Sequence, residues 1–113
     1  MSYNLFLTDR FQKEAKKINK KYPSFKRDLE NFIDELEIGP IHGTPLGKSC
    51  YKIRLKISSK NKGKSSGARV ITHVHVSEAI VYLLSIYDKG DKESLANGEL
   101  EELMAQIEDD KFL

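Results

Sequence analysis

A strict alternation of residue type between positions 50 and 57 restricts the fold of this chain more than any other feature. Apolar residues occupy the odd-numbered positions and cations the even-numbered ones: Tyr51, Ile53, Leu55 and Ile57 against Lys52, Arg54 and Lys56. Because successive side chains of a strand point to opposite faces, the stretch predicts a strand with an apolar back and a three-cation front. A row of like charges persists where water solvates it or where a polyanion binds it. Nucleic acid is the polyanion that we favour.

Charge is distributed unevenly along the 113 residues, although the net charge is only +2. Residues 38–77 contain eight lysines and arginines and no acid, whereas residues 88–113 contain nine acids and three bases. The sequence therefore predicts a localised basic surface and an acidic C-terminal segment. A merely solvated strand face is the alternative, and the long acid-free stretch makes it the less favoured one.

The length indicates one domain with a modest core, spanning residues 1–113. The single Cys50 excludes an internal disulfide, and neither a signal peptide nor an apolar run long enough to cross a bilayer is present. We therefore expect a soluble cytoplasmic protein with no membrane partner. We also expect no metal and no cofactor, because His73 and His75 alternate in register but no third ligand has a suitable spacing.

Periodicity predicts an α+β domain with the element order β-α-α-β-β-β-α. The expected elements are a strand over Tyr3–Leu7, a helix capped by Thr8, a helix capped by Ser24, a loop over Ile38–Lys48, the strand from Cys50, strands over Ala68–Val76 and Ala79–Tyr87 around a Ser77-Glu78 turn, and a helix over Glu99–Lys111. With a two-residue turn, Arg69 and His73 share the basic face with Ile80, Leu84 and Ile86.

Three short motifs carry a resemblance to a known family: Cys-Tyr-Lys-Ile-Arg-Leu-Lys from Cys50, Gly-Ala-Arg-Val-Ile from Gly67, and Ile-Val-Tyr-Leu-Leu-Ser-Ile-Tyr-Asp-Lys from Ile80. They resemble the RelE superfamily of toxins from type II toxin-antitoxin systems, particularly its HigB-like branch. The resemblance implies a compact microbial RNase fold, with an antiparallel sheet packed on a two-helix hairpin beside a C-terminal helix. It also implies an enzyme that enters the ribosomal A site and cuts translated messenger RNA, by attack of a ribose 2′-hydroxyl on the adjacent phosphate.

The resemblance further implies catalytic roles for four cations. Lys52 and Arg54 match the two cationic strand positions of the family, Arg69 matches the arginine that opens the next strand, and Lys89 matches the basic residue after the last strand. We expect the four to converge on one face. Arg69 is our first candidate for transition-state stabilisation, because a guanidinium grips two phosphate oxygens and keeps its proton.

The groups that transfer protons are less defined by the resemblance. A tyrosine of the best-known family member falls near Leu95, which cannot transfer a proton. His73 titrates near neutrality and is the candidate acid or base, with Tyr82 and Tyr87 as alternatives. Dependence on the ribosome would weaken the need for a strong base. Contacts to RNA are predicted for Lys56, Lys60, Lys62, Lys64 and Tyr87.

A toxin of this family implies a cognate antitoxin, which usually carries a DNA-binding domain, so that operator DNA is reached only through the complex. We expect exposed Ile80 and Leu84, beside the basic face, to offer the antitoxin a surface. The alternative function is binding without cutting, either by a ParE-like poison of DNA gyrase or by a degenerate member that only binds its antitoxin. ParE-like toxins usually lack the full set of Lys52, Arg54 and Arg69, which therefore favours RNA cleavage.

Overall fold

The computed structural model describes residues 2–60 and 67–111, with side chains described as far as Ile107, and within them one five-stranded sheet carries three helices. The elements are β1 (Asn4–Leu7), α1 (Asp9–Lys21), α2 (Phe25–Ile38), β2 (Thr44–Gly47), β3 (Cys50–Leu55), β4 (Ala68–His75), β5 (Ile80–Asp88) and α3 (Glu99–Lys111). The strand order across the sheet is β1-β5-β4-β3-β2. The predicted α+β class, helical hairpin and C-terminal helix are confirmed. Over the same residues, no helix combines the length and apolarity needed to cross a bilayer.

Two features of the sheet differ from the prediction. β2 lies inside the segment expected to be a loop, and it pairs antiparallel with β3 to form one edge of the sheet. Its sequence, Thr-Pro-Leu-Gly, shows no alternation, and a proline is tolerated in a sheet mainly at an edge. β1 forms the other edge and runs parallel to β5, so the sheet is mixed rather than wholly antiparallel.

The connection between β4 and β5 contains four residues rather than the predicted Ser77-Glu78 pair. Val76–Glu78 form a 3-10 turn, and Ala79 follows in the left-handed conformation with a φ of 54°. The two additional loop residues are Val76 and Ala79, which were predicted to be the last residue of one strand and the first residue of the next. His75 therefore still pairs with Ile80, as the two-residue turn would require.

A bulge shifts the register further along the same strand pair. Here the Glu14 carboxylate on α1 accepts hydrogen bonds from the Ser85 hydroxyl at 2.7 Å and from the Ile86 amide at 3.3 Å. Beyond the bulge Ile86 faces the helical hairpin, so its predicted place on the basic face is wrong. Tyr87 takes that place and pairs with Arg69.

The sheet separates two apolar clusters. The larger lies between the sheet and the α1–α2 hairpin, where Phe11, Phe25 and Leu36 are fully buried. The smaller lies on the opposite face, called here the front face, and its buried members are Cys50, Ile71, Tyr82, Leu84, Tyr87, Leu103 and Ile107. Leu84 is thus fully buried beside α3 and Ile80 is half-buried, so the predicted exposure of Leu84 to an antitoxin is wrong.

The two predicted helix caps behave differently. The Thr8 hydroxyl accepts a hydrogen bond from the Phe11 amide and donates one to the Leu83 carbonyl, so it caps α1 and ties the helix to β5. Ser24 occupies the cap position of α2, but its side chain makes no capping hydrogen bond and donates instead to Asp28 at 2.7 Å.

Candidate active site

An open cleft of about 280 Å³ lies at the end of the front face that α3 leaves uncovered. Its lining residues come from three strands and from the segment after β5: Thr44, Lys52, Arg54, Arg69, Lys89 and Glu93. We call it the cationic cleft. Four of its residues are the cations to which the family resemblance assigns catalytic roles, so the fold brings that predicted set together.

Strand register places the cations of β3 and β4. Arg54 lies directly opposite Arg69, and Lys52 lies opposite Ile71. Side chains at directly opposite positions are about 5 Å apart at Cβ, and like charges so placed destabilise a sheet. The fold therefore holds two guanidinium groups together at a cost that a bound anion would relieve.

Arg69 is the most buried cation of the cleft, with 5% of its surface exposed. Its Nη1 donates a hydrogen bond to the Ala68 carbonyl at 3.0 Å. Burial and the nearby charge of Arg54 lower the pKa of the Arg69 guanidinium, while Tyr87 opposes that shift. Because arginine starts from such a high value, the group keeps its charge at neutral pH. Arg69 is thus an oriented, largely desolvated cation in the cleft wall.

A close backbone approach joins the strand ends that form the cleft. The Lys89 amide donates to the Gly67 carbonyl at 3.1 Å. A Cβ atom on Gly67 would lie 2.3 Å from the Leu55 carbonyl oxygen, so no larger residue fits without moving the backbone. The glycine therefore lets the start of β4 and the end of β3 meet beside Lys89.

Comparison with known proteins decides the family. The sequence matches, over residues 3–109, the family described as the RelE toxin of the RelE / RelB toxin-antitoxin system. The chain belongs to the RelE toxin family.

Solved RelE structures share the fold of this RelE-family chain. A mutant of Escherichia coli toxin RelE in the free state is 25% identical, covers 82% of this chain and 90% of its own, and gives a TM-score of 0.60. The toxin in the intact E. coli RelBE toxin-antitoxin complex is also 25% identical. It covers 75% of this chain and 94% of its own, with a TM-score of 0.59. The archaeal RelE–RelB complex from Pyrococcus horikoshii is similar in fold, with a TM-score of 0.52. Its matching chain is 20% identical and covers 81% of this chain and 100% of its own.

His73 lies outside the cationic cleft of the RelE-family chain. It pairs with Cys50, and its Nδ1 is 3.6 Å from the Cys50 sulfur, whose pKa burial raises to about 11. Its ring centroid is 6.1 Å from that of Tyr82, one of the two tyrosines predicted as an alternative acid or base. His73 lies four positions along β4 from Arg69, which corresponds to about 13 Å in a strand. This placement does not support His73 or Tyr82 as the acid or base at the cleft.

Lys60 is held by the protein itself rather than presented to RNA. Its Nζ lies 2.6 Å from an Asp88 oxygen and 5.6 Å from the centre of the Tyr22 ring. The Tyr22 hydroxyl donates to the second Asp88 oxygen at 2.7 Å. Burial raises the pKa of Asp88, but hydrogen bonds from Lys60, the Gly90 amide and Tyr22 outweigh it and hold that pKa below its ordinary value. Lys60 is therefore not among the RNA contacts that we propose.

Lys56, another lysine predicted to bind RNA, is not part of the cleft lining. Lys56 is exposed beyond the end of β3 and shares a separate groove with Asp28 and Ser58. Lys62 and Lys64 lie outside the described residues, so their contact with RNA stays a prediction.

Tyr87 lies on the front face beside Arg69 and supports the wall of the cleft. It is 7% exposed and lies opposite Arg69, and its hydroxyl donates to the Glu93 carbonyl at 3.4 Å. Burial raises the pKa of this phenol, an effect that the Arg69 charge opposes. Its ring is therefore a structural support for the cation and for the segment that carries Glu93, rather than a face offered to RNA.

The sequence interpretation missed two residues of the cleft lining, Thr44 and Glu93. Of these, Glu93 is the charged one. It lies in the polar connection between β5 and α3, where no periodic pattern assigns a direction to a side chain. One signal was available: Glu93 lies two residues before Leu95, the position at which the family resemblance places a tyrosine.

Glu99 fixes the beginning of α3. Its carboxylate, 10% exposed, accepts hydrogen bonds from Arg10 at 2.5 Å, Lys92 at 2.7 Å and the Ala96 amide at 2.9 Å. Burial raises the pKa of Glu99, but these donors outweigh it and lower the pKa to about 2. The ionised carboxylate thus joins α3 to α1 and to the segment that follows β5.

We expect Glu99→Gln to lower the free energy of unfolding by about 2 kcal/mol at pH 7. The folded pKa, about 2, lies below the ordinary value of 4.5, so this stabilisation is complete above pH 4.5 and is lost as the pH falls toward 2. Urea unfolding of both proteins at pH 7, 5 and 3 measures it. Glu101→Gln, which removes an exposed ion pair with Lys48, is the matched control and should change stability by less than about 0.5 kcal/mol. A Glu99→Gln deficit that does not shrink at pH 3 contradicts the assignment.

Proposed function

We propose that this RelE-family chain is a ribosome-dependent endoribonuclease toxin that cuts translated messenger RNA. The observation that carries the proposal is the convergence of Lys52, Arg54, Arg69 and Lys89 on one cleft. A cleft of about 280 Å³ is below the usual size of a site for drug-like ligands. It suits a phosphodiester with its adjoining sugars.

The cations fit the chemistry of RNA cleavage by an internal nucleophile. Attack of the ribose 2′-hydroxyl on the adjacent phosphorus forms a crowded phosphorane with additional negative charge, and departure of the 5′ oxygen leaves a 2′,3′-cyclic phosphate. We assign the charge stabilisation chiefly to Arg69, since a preorganised donor aimed at developing charge contributes about 3 to 4 kcal/mol. We assign Lys52, Arg54 and Lys89 to binding the phosphate, and one of the two lysines to protonating the leaving oxygen.

The lining of the cleft supports dependence on the ribosome. None of its described residues is aromatic, so the cleft offers no ring on which a base could stack. In-line attack requires the RNA backbone to be held in a particular bend. We therefore propose that the ribosomal A site supplies that bend and that this chain supplies the charges, acting in the cytoplasm.

We propose that a cognate antitoxin neutralises this chain and that operator DNA is bound only through that complex. The supporting observation is that the E. coli relative has been solved as a toxin-antitoxin complex. Phe6 and Val76, which are 43% and 61% exposed, offer apolar surface for such a partner in place of buried Leu84. Membership of the HigB-like branch rests on the strand motifs alone and stays a prediction.

One observation favours the alternative of a member that binds without cutting, either a degenerate toxin or a gyrase poison. Neither histidine nor tyrosine lines the described cleft, so the proton-transfer side chains that the sequence interpretation named are absent from its described lining. The two functions differ in what breaks in the cell: messenger RNA in the first, chromosomal DNA or nothing in the second.

Mapping of RNA ends after brief induction in cells separates these functions. We expect new 5′ ends within translated reading frames, and we expect a mutated start codon in a reporter message to abolish them. A reporter of the same sequence with its start codon intact is the matched control. Growth arrest with intact messages and broken DNA would instead support the gyrase alternative, and unimpaired growth with intact messages would support the degenerate one.

A further inference from the structure

Among its described residues the cationic cleft contains one acid, Glu93, and no histidine or tyrosine that could accept a proton. Lysine and arginine in their charged forms carry donors only, and a threonine hydroxyl is a poor base. His73 and Tyr82 lie elsewhere on the sheet, and the Tyr87 hydroxyl donates to a backbone carbonyl. Among the described residues that line the cleft, Glu93 alone carries a carboxylate.

The backbone that carries Glu93 is held in place from two sides. The Tyr87 hydroxyl donates to the Glu93 carbonyl at 3.4 Å. The preceding residue, Lys92, lies 5.3 Å from the centre of the Tyr87 ring and donates to Glu99 at 2.7 Å. This part of the connection is therefore tied to both β5 and the start of α3, which holds the backbone of Glu93 at the edge of the cleft.

The Glu93 carboxylate is available to a ligand. It is exposed, and no lysine or arginine in the described part of the chain forms an ion pair with it. Lys92, the nearest cation in sequence, is already bound to Glu99. An unpaired carboxylate can accept a proton or a hydrogen bond without first breaking an internal contact.

Most exposed glutamates are merely solvated, but the position of Glu93 weighs against that interpretation. A carboxylate in the lining of a cationic cleft repels a phosphate and so weakens the binding of RNA. A cleft that served only to bind RNA would hold it better with an uncharged residue there. Proton acceptance during cleavage is a role that requires the negative charge and offsets its effect on binding.

We propose that Glu93 is the general base of the cleft, taking the proton of the attacking ribose 2′-hydroxyl; the inference rests on the proposed RNA cleavage. As the O2′–H bond breaks, its proton passes to the Glu93 carboxylate, and the O2′–P bond forms. The P–O5′ bond then breaks, and the leaving 5′ oxygen takes a proton from a lysine ammonium of the cleft. Solvent returns the proton of Glu93 to the bulk and reprotonates the lysine, so the enzyme is regenerated.

Single-turnover cleavage of messenger RNA on programmed ribosomes tests this role. Loss of a general base typically lowers a rate by about 100-fold to 10,000-fold, so we expect Glu93→Gln to cut at least 100-fold more slowly. Binding to the ribosome should be unchanged or tighter, because a negative charge is removed. Glu93→Ala should be equally slow. Added formate should raise the cleavage rate of Glu93→Ala at least tenfold, since a small carboxylate can fill the vacated space.

The controls separate this inference from the proposed function. Glu30→Gln, at an exposed position of α2, makes the same change of net charge away from the cleft and should cleave at the native rate. If the native chain cuts and Glu93→Gln cuts within threefold of it, Glu93 is not the base and the proposed function stands. A slow Glu93→Ala variant that formate does not restore also overturns the inference. If the native chain does not cut at all, the proposed function fails and the inference fails with it.

Discussion

Replacing Arg69 with alanine is expected to slow single-turnover cleavage of ribosome-bound messenger RNA by on the order of 100-fold or more. The guanidinium is buried in the wall of the cleft in which we propose that the phosphorane forms. A group of this kind acts mainly in the transition state, so the dissociation constant for the ribosome should stay within about threefold of the native value. Filter binding and quenched-flow cleavage on the same ribosomes measure the two quantities.

Two further variants make the Arg69 result specific. Arg69→Lys keeps the charge but loses the two-pronged donor geometry, so its rate should fall between those of the native chain and Arg69→Ala. Arg27→Ala, at an exposed position on α2, removes the same residue type from the opposite side of the sheet and should leave the rate unchanged. Thermal unfolding of each variant checks that the fold persists. Native-rate cleavage by folded Arg69→Ala would remove this residue from the active site.

Replacing Asp88 with asparagine is expected to lower the free energy of unfolding by about 3 kcal/mol. The Asp88 carboxylate is 4% exposed and binds both Lys60 and the Tyr22 hydroxyl. Removing its charge takes away the ion pair that offsets the desolvation of the Lys60 ammonium, which is only 15% exposed. Urea unfolding at pH 7 measures the loss.

The control for Asp88 is another aspartate of the same segment. Asp91 pairs with Lys21 at 3.9 Å on the surface, where both side chains are more than half exposed, so Asp91→Asn should cost less than about 0.5 kcal/mol. Replacing Lys60 with methionine in the Asp88→Asn background should recover part of the loss, because the poorly hydrated charge that Asp88 offsets is removed with it. Equal losses for Asp88→Asn and Asp91→Asn would show that the buried pair has no special role.

The parts of the fold that could be predicted are those specified by local pattern. The two-residue period from Cys50 onward gives β3 and its cations, and the apolar spacing after Glu99 gives α3 with the observed bounds. The convergence of Lys52, Arg54 and Arg69 follows from strand pairing alone, so it too was accessible.

The parts that could not be predicted depend on contacts between distant positions. The bulge of β5 donates hydrogen bonds to Glu14, a residue 71 positions before Ser85 in sequence. The bulge changes the neighbour of Arg69 from Ile86 to Tyr87. Lys60 looks like a mobile surface lysine until Asp88, 28 positions away, is brought beside it. Local periodicity carries no information about either contact.

The site was predictable in its cations and not in its acid. Lys52 and Arg54 alternate with apolar residues on a strand, which fixes the face that they share. Glu93 lies in an irregular connection, and its direction depends on Tyr87 and Lys92, which hold that connection against β5 and α3. A side chain without a periodic context is located only once its anchors are known.

Cleavage of a message that carries one 2′-deoxynucleotide in the ribosomal A site tests the central claim most directly. The deoxynucleotide is placed where the native chain cuts the all-RNA message, so that only the attacking hydroxyl is removed. We expect the purified chain to cut the all-RNA message on the ribosome, to leave a 2′,3′-cyclic phosphate, and to leave the deoxy-substituted message intact. Equal cleavage of both messages, or no cleavage of either, would contradict the account.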